Sequence, residues 1–130
     1  MTVAIPSTLE YLLERPFYGS LAIVRPDGSP QVNPMWFERV GDTIHFTHTN
    51  KRAKYRHLQA NPAMSFLVFD PDDPMIYIEV RGSLIEVIPD PTGAFYVGLQ
   101  ERYGYASGKT PHDAPDRVIL VMSMDAFAQH

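Results

Sequence analysis

A basic stretch directly after two threonines is the first part of this sequence that could do chemistry. Its cations are Lys51, Arg52, Lys54 and Arg56, four of the eleven in the chain. A helix is predicted over residues 50–60, and the first turn of a helix disfavours each added cation by up to about 1 kcal/mol. A phosphate held by backbone N–H groups, by Lys51, Arg52 and Lys54, and by the hydroxyls of Thr47 and Thr49 would offset that cost. A solvated helical face remains the alternative, because Lys and Arg are good helix formers.

A second candidate segment reads Gln31-Val32-Asn33-Pro34-Met35-Trp36. Proline cannot donate to a strand ladder, so Pro34 predicts an edge strand, a bulge or a backbone that faces a ligand. The exposed backbone beside Asn33 could hydrogen-bond a flat heterocycle, with Met35 or Trp36 covering its face. The alternative is an ordinary packed strand with Trp36 in the core.

Other kinds of site find no support in the sequence. The chain has no cysteine, which excludes a disulfide scaffold and a thiol nucleophile. It has neither a glycine-rich dinucleotide motif nor a P-loop. His45 and His48 are three residues apart on a predicted strand and should face opposite sides, so no metal site is predicted.

These segments are carried by a predicted mainly β architecture. Short turns between successive strands favour antiparallel pairing, and the apolar parity changes across Gly82, which predicts a bulge there. We expect one domain over residues 1–130, a small β-barrel of about six mostly antiparallel strands with three helices at its periphery. The predicted strands cover 21–24, 31–40, 43–48, 64–69, 75–88 and 118–122, and the helices 7–16, 50–60 and 92–104. The first helix is predicted to start with a capping box at Ser7, and the third with Thr92 as its cap.

Charge and composition narrow the class of partner. The 130 residues carry a formal net charge of −4, which argues against a general nucleic-acid binder. No targeting segment and no apolar run of roughly 18 residues is present, so a cytoplasmic protein without a membrane partner is expected.

Taken in order, several motifs resemble a known family. From about Gly19 to Phe127 the chain is similar to the flavin/deazaflavin oxidoreductases of the pyridoxamine 5′-phosphate oxidase-like split-barrel superfamily. The similarity is greatest to the branch that uses coenzyme F420, a deazaflavin. It rests on the segments Asp27-Gly28-Ser29-Pro30-Gln31, Pro34-Met35-Trp36-Phe37, Arg52-Ala53-Lys54-Tyr55-Arg56-His57-Leu58, Asn61-Pro62, Glu79-Val80-Arg81-Gly82 and Asp116-Arg117-Val118-Ile119-Leu120-Val121.

The resemblance implies a split barrel that forms a homodimer with two cofactor sites at the interface. Arg52 and Lys54 match the cations that bind the cofactor phosphate, and residues 31–33 match the strand along the flavin ring edge. Met75 and Tyr77 match a region contributed by the partner subunit. Together with Lys51, the cofactor-binding candidates are Gln31, Val32, Asn33, Thr47, Thr49, Arg52, Lys54, Met75 and Tyr77.

The implied reaction is hydride transfer between C5 of the reduced deazaflavin and an unsaturated acceptor, such as an enone, quinone, nitro compound or tetrapyrrole. Such chemistry needs orientation and exclusion of water more than a dedicated acid or base, so no catalytic residue is predicted. Two alternatives stay open: an FMN-dependent oxidase or reductase on the same fold, and a non-catalytic flavin- or haem-binding protein. Pyridoxamine phosphate oxidation itself is disfavoured, because the C-terminal arginine pattern of that enzyme is not evident.

Overall fold

Antiparallel β-strands dominate the computed structural model, which describes residues 2–105 and 109–129. The strands are β1 Gly19–Val24, β2 Pro30–Met35, β3 Glu38–Val40, β4 Thr43–Thr49, β5 Ala63–Asp70, β6 Asp73–Pro89, β7 Arg117–Ser123 and β8 Ala126–Gln129. The helices are α1 Glu10–Glu14, α2 Ala53–Ala60 and α3 Ala94–Arg102, and a short 3-10 turn covers Ala114–Asp116. None of the helices within these ranges is long and apolar enough to cross a bilayer.

The long strand β6 organises the sheet. The strand order is β2-β1-β5-β6-β7-β4-β3, with β8 also paired to β6. All of these pairs are antiparallel; β6 pairs with β5 through its first half and with β7 through its second. One strand therefore passes from one side of the barrel to the other, and the predicted antiparallel, mainly β architecture is confirmed.

The prediction of a single strand over residues 31–40 is wrong. The segment forms two strands, because β2 pairs with β1 while β3 pairs with β4 at the far end of the sheet order. The chain changes partner at Trp36 and Phe37. Phe37 is fully buried, and its N–H donates to the Tyr103 hydroxyl at 3.1 Å instead of to a strand. With β8, which the sequence did not predict, the described residues contain two strands more than expected.

The bulge of β6 also lies elsewhere than predicted. The register with β7 shifts between Leu84 and Glu86, so Ile85 is the extra residue, and its side chain is exposed. Gly82 itself is needed for a close approach, because a Cβ there would lie 2.0 Å from the Ser123 carbonyl oxygen. The change of apolar parity therefore correctly predicted a bulge in β6, but the bulge lies at Ile85, three residues after Gly82.

The helices begin later than predicted. The N-cap of α1 is Leu9, without a side-chain cap, so the predicted capping box at Ser7 does not form. Helix α2 begins at Ala53 rather than at residue 50. Helix α3 follows Gly93, whose φ of 72° suits glycine, so Thr92 is not its cap. Part of the segment between the third predicted helix and the last predicted strand, residues 106–108, lies outside the described residues.

The core lies between the inner faces of the strands and is closed by α1. Phe66 packs edge-on against both Phe37 and Phe46, with ring centroids 4.9 Å apart in each pair. Leu12 and Leu13 of α1 are completely buried in the same cluster. This close-packed interior holds β1 and β4 rigidly, and with them the strand ends that border the candidate site.

Candidate functional site

A cleft of about 640 Å³ opens where β2, the end of β4 and the first turn of α2 meet α3 and the start of β7. Its lining combines cations, hydroxyls and aromatic rings. The lining residues are Tyr18, Gln31, Asn33, Pro34, Met35, Trp36, Thr47, His48, Arg52, Ala53, Lys54, Tyr96 and Arg117.

The backbone before α2 explains why the basic stretch reaches this cleft. Beyond the end of β4, the N–H of Asn50 donates to the carbonyl of Asp116 at 3.0 Å and delays the start of the helix. Arg52 is the N-cap and no side chain caps the helix, so the first N–H groups are left for another acceptor.

Lys54 ties α2 to β2 inside the cleft. Its side chain is buried, and the ammonium donates to Asn33 Oδ1 at 2.6 Å and to Met35 Sδ at 3.4 Å. Burial, with a smaller contribution from the nearby Arg52 charge, lowers the pKa of Lys54 to about 8. The two segments that the sequence singled out separately are thus joined by the two hydrogen bonds of Lys54.

The other members of the basic stretch lie at different distances from the cleft. Arg52 is exposed and lines the cleft, and no carboxylate pairs with it among the residues that the structure describes. Lys51 is exposed outside the lining, where its carbonyl accepts from Arg56. Thr47 lines the cleft, whereas Thr49 is buried and does not.

Arg117 is a cleft cation that the sequence reasoning did not select. Its guanidinium forms a two-pronged ion pair with Asp113 at 3.0 and 3.2 Å and lies 4.4 Å from the centre of the Tyr96 ring. Its third nitrogen donates to Thr47 Oγ1 at 3.4 Å. Arg117 therefore fixes Tyr96 and Thr47, and its own charge is already balanced.

His48 is a neutral side chain among these cations. It is buried, and its Nε2 has no hydrogen-bond partner within residues 2–105 and 109–129. Burial and the charges of Lys54, Arg52 and Arg117 lower the pKa of His48 to about 4. Strand β4 places His45 on the opposite face, as predicted, and no group of three metal-ligating side chains occurs in the described part of the chain.

Strand β2 presents alternate side chains to the cleft. Gln31, Asn33 and Met35 line it, while Val32 lies on the other face and is 64% exposed. Pro34, which has the same parity as Val32, also lines the cleft near the end of β2, whereas Val32 does not. Met75 and Tyr77 lie on β6, outside the cleft of this chain.

Aromatic side chains form the other end of the cleft. The Trp36 ring stacks with Tyr103 and Tyr105 at centroid distances of 5.4 and 5.5 Å, and Tyr96 lies 6.2 Å away. The Tyr18 hydroxyl is 3.1 Å from that of Tyr105. Trp36 is only half-buried, so the interpretation of Trp36 as a core residue of a packed strand is wrong.

Of the predicted residues, Gln31, Asn33, Thr47, Arg52 and Lys54 come together in one cleft, and the rest do not. The lining residues that sequence reasoning missed include Tyr18, His48, Tyr96 and Arg117. Arg117 reaches the cleft because β4 pairs with β7, which places Arg117 opposite Thr49. That pairing joins residues about seventy positions apart and cannot be identified from local patterns.

Comparisons with known proteins agree with this fold. Residues 5–130 match the model of the family described as pyridoxamine 5′-phosphate oxidase. A solved structure called F420 reductase is 53% identical, with a TM-score of 0.93, over 97% of this chain and all of that one. No match is found among curated proteins.

More distant structures share the fold alone. A conserved hypothetical protein from Mycobacterium tuberculosis is 23% identical, with a TM-score of 0.73, over 97% of this chain and 84% of that one. The general stress protein 26 of Bacillus anthracis is 21% identical, with a TM-score of 0.70, over 92% and 88%. The family match and the F420 reductase structure confirm the resemblance to the split-barrel superfamily, and the similarity to the F420 reductase fits its F420-dependent branch. On the family match across nearly its whole length, the chain belongs to the pyridoxamine 5′-phosphate oxidase family.

Proposed function

We propose that this protein is an F420-dependent oxidoreductase that transfers a hydride between the deazaflavin and an unsaturated small-molecule acceptor. The observation that carries the proposal is the cleft itself, in which Arg52 and Lys54, two cations without a carboxylate partner among the described residues, lie beside a flat-ring surface. The 53% identity to a protein called F420 reductase, over 97% of this chain and all of that one, supports the choice of cofactor.

The basic end of the cleft fits a phosphate group. Arg52 lacks a carboxylate partner among the described residues, and the start of α2 has no side-chain cap. Thr47 adds a hydroxyl, which Arg117 holds in place. Charge-assisted hydrogen bonds from such a set are the strong kind, and the helix N-terminus adds to them.

The β2 side of the cleft fits a flat heterocycle. Strand β2 is the last strand of the sheet order, so the row of backbone groups facing away from β1 has no strand partner among the described residues. Gln31, Asn33 and Met35 point to the same side, next to the rings of Trp36 and Tyr96. Aromatic and apolar lining with a few polar groups is the usual character of cofactor sites.

When bound, a deazaflavin supplies the hydride-carrying carbon of the reaction. The residues of this chain bind it, orient it and exclude water from it. Neither the cleft lining nor the proposed chemistry requires a dedicated acid or base, because correct orientation alone supplies much of the rate acceleration.

The test is a titration with F420 and FMN side by side, followed by the fluorescence of Trp36, which lies in the cleft. We expect tight binding of F420, weakened at least tenfold in Arg52→Ala, since a charged hydrogen bond contributes roughly 1.5–3 kcal/mol. Lys51→Ala removes a neighbouring cation outside the cleft and should bind like the wild type. Tight binding of FMN with no measurable binding of F420 would replace the proposal by the FMN-dependent alternative.

We also infer that the protein works as a homodimer. The outward face of β2, β1 and β5 carries exposed apolar side chains, among them Val32 and Phe69. Met75 and Tyr77 of β6 belong to the same face, and Met75 is 56% exposed. Exposed apolar side chains gathered on one sheet face are typical of an interaction surface.

The dimer is tested by measuring mass in solution, with a Val32→Asp/Phe69→Asp double variant. A charge at each position should shift the mass towards that of a monomer and weaken F420 binding if the partner subunit completes the site. The control Val40→Asp changes an exposed apolar residue of β3, at the opposite end of the sheet order from β2, and should leave the mass unchanged. A wild-type protein that stays monomeric at all concentrations would disprove the interface.

A further inference from the structure

Two tyrosine hydroxyls meet at the aromatic end of the cleft. The Tyr18 and Tyr105 oxygens are 3.1 Å apart, and the two residues are 52% and 55% exposed. Tyr18 lines the cleft, whereas Tyr105 stacks with the Trp36 ring. We propose that the Tyr18 hydroxyl binds the carbonyl oxygen of the hydride acceptor, and that this acceptor is a flat enone or quinone. The inference rests on the proposed function and names the substrate class of the same site.

The hydroxyl pair keeps one hydrogen-bond donor for a ligand. Each phenol has a single O–H, so one hydroxyl donates within the pair and the O–H of the other stays available among the described residues. The hydrogen bond with Tyr18 raises the pKa of Tyr105, as expected for the group that donates its proton. The O–H of Tyr18 is then left for the cleft, and the hydrogen bond that it accepts polarises it into a stronger donor.

The surroundings of the Tyr18 hydroxyl suit a flat, conjugated molecule. The rings of Trp36 and Tyr96 border the same cleft, with centroids 6.2 Å apart. The described lining contains no Asp or Glu, so no carboxylate repels the partial negative charge of a carbonyl oxygen. Aromatic walls hold the conjugated system, and a single donor fixes the position of one oxygen.

A hydrogen bond at that oxygen assists the reduction directly. The far carbon of the C=C–C=O group gains the hydride, the electron pair of the double bond moves towards the carbonyl, and negative charge develops on its oxygen. A donor held there stabilises this charge more in the transition state than in the bound acceptor. Tyr18 keeps its own proton, and the proton that completes the two-electron reduction adds from water.

The binding test uses menadione, a flat quinone, and 2-methylnaphthalene, which has nearly the same shape without the carbonyl oxygens. Equilibrium dialysis measures both ligands on protein saturated with oxidised F420, so that no hydride is transferred. Tyr18→Phe should weaken menadione binding by about threefold to tenfold and leave 2-methylnaphthalene binding within about twofold, because only menadione accepts the hydrogen bond. Tyr11→Phe makes the same change at a tyrosine outside the cleft lining and should bind menadione like the wild type.

Turnover gives a second readout. With reduced F420 and cyclohex-2-enone, Tyr18→Phe should lower kcat by about tenfold or more while F420 affinity stays within about twofold. Tyr105→Phe leaves Tyr18 its O–H and should lower kcat less. Menadione affinity and kcat that are both unchanged in Tyr18→Phe, with F420 still bound, would overturn the inference and leave the proposed function standing. Wild-type protein that binds F420 but neither binds menadione nor reduces the enone would do the same, whereas wild-type protein that does not bind F420 would remove both.

Discussion

The basic end and the aromatic end of the cleft differ in whether their side chains already have partners in this chain. At the aromatic end, Trp36 stacks with Tyr103 and Tyr105, and the Tyr105 hydroxyl lies 3.1 Å from another tyrosine hydroxyl. At the basic end, Arg52 and Lys54 carry charges that no described carboxylate balances. The aromatic end needs no ligand to balance its charge, and the basic end does. Binding of F420 should therefore depend mainly on the basic end.

The largest effect is expected from a charge reversal at the basic end. Arg52→Glu replaces attraction for the phosphate by repulsion and should weaken F420 binding by about a hundredfold or more, on the order of 3 kcal/mol. Lys51→Glu makes the same change of charge one residue earlier, outside the cleft lining. Titration calorimetry should show a much smaller loss for that control. Equal losses of affinity in the two variants would mean that F420 responds to the overall electrostatic field and not to a contact with Arg52.

Lowering the pH should destabilise the folded protein through His48, which lies at the basic end. Its pKa is lowered to about 4 in the folded protein from 6.5, so the unfolded chain binds more protons between these values. The free energy of unfolding should therefore decrease by up to about 3 kcal/mol as the pH falls from 6.5 to 4. Urea unfolding across this range measures it, and His48→Gln should remove most of the slope. His112→Gln, at an exposed position, should retain it.

Raising the pH should weaken F420 binding through Lys54, which lies at the same end. Its pKa is about 8 in the free protein, and a bound anion raises it, so binding takes up a proton above that pH. F420 affinity should be flat below pH 8 and decrease by up to about tenfold per pH unit above it. Lys54→Arg keeps its charge throughout and should flatten the profile. A profile in Lys54→Arg as steep as in the wild type would assign the titration to another group.

The smallest effect is expected at the aromatic end. A double-mutant cycle of Trp36→Leu and Tyr105→Leu should give a coupling energy of about 1 kcal/mol in the free energy of unfolding. Tyr105→Leu alone should leave F420 affinity within about twofold. A tenfold loss of affinity in that variant would contradict the contrast between the two ends.

The elements were largely predictable because their signals are local. Pro34 indicated an edge strand, a bulge or a backbone that faces a ligand, and β2 is the last strand of the sheet order. Residues 41 and 42 indicated a hairpin, and Val40 pairs with Thr43 across it. The errors came where partners are distant in sequence. The segment 31–40 breaks because its two halves join different strands, and local alternation carries no sign of that choice.

The sequence by itself determined the family, the antiparallel β architecture and the group of residues from which the site is drawn, since ordered motifs and hydrophobic alternation are properties of the chain alone. Tertiary structure decided which members of that group meet. It joins Lys54 to Asn33 and Arg117 to Thr47, turns Val32 away, and leaves Lys51 outside the cleft. The physical reason is that strand pairing and burial depend on contacts across tens of residues. Such contacts decide which cations are buried, paired or free to bind a ligand.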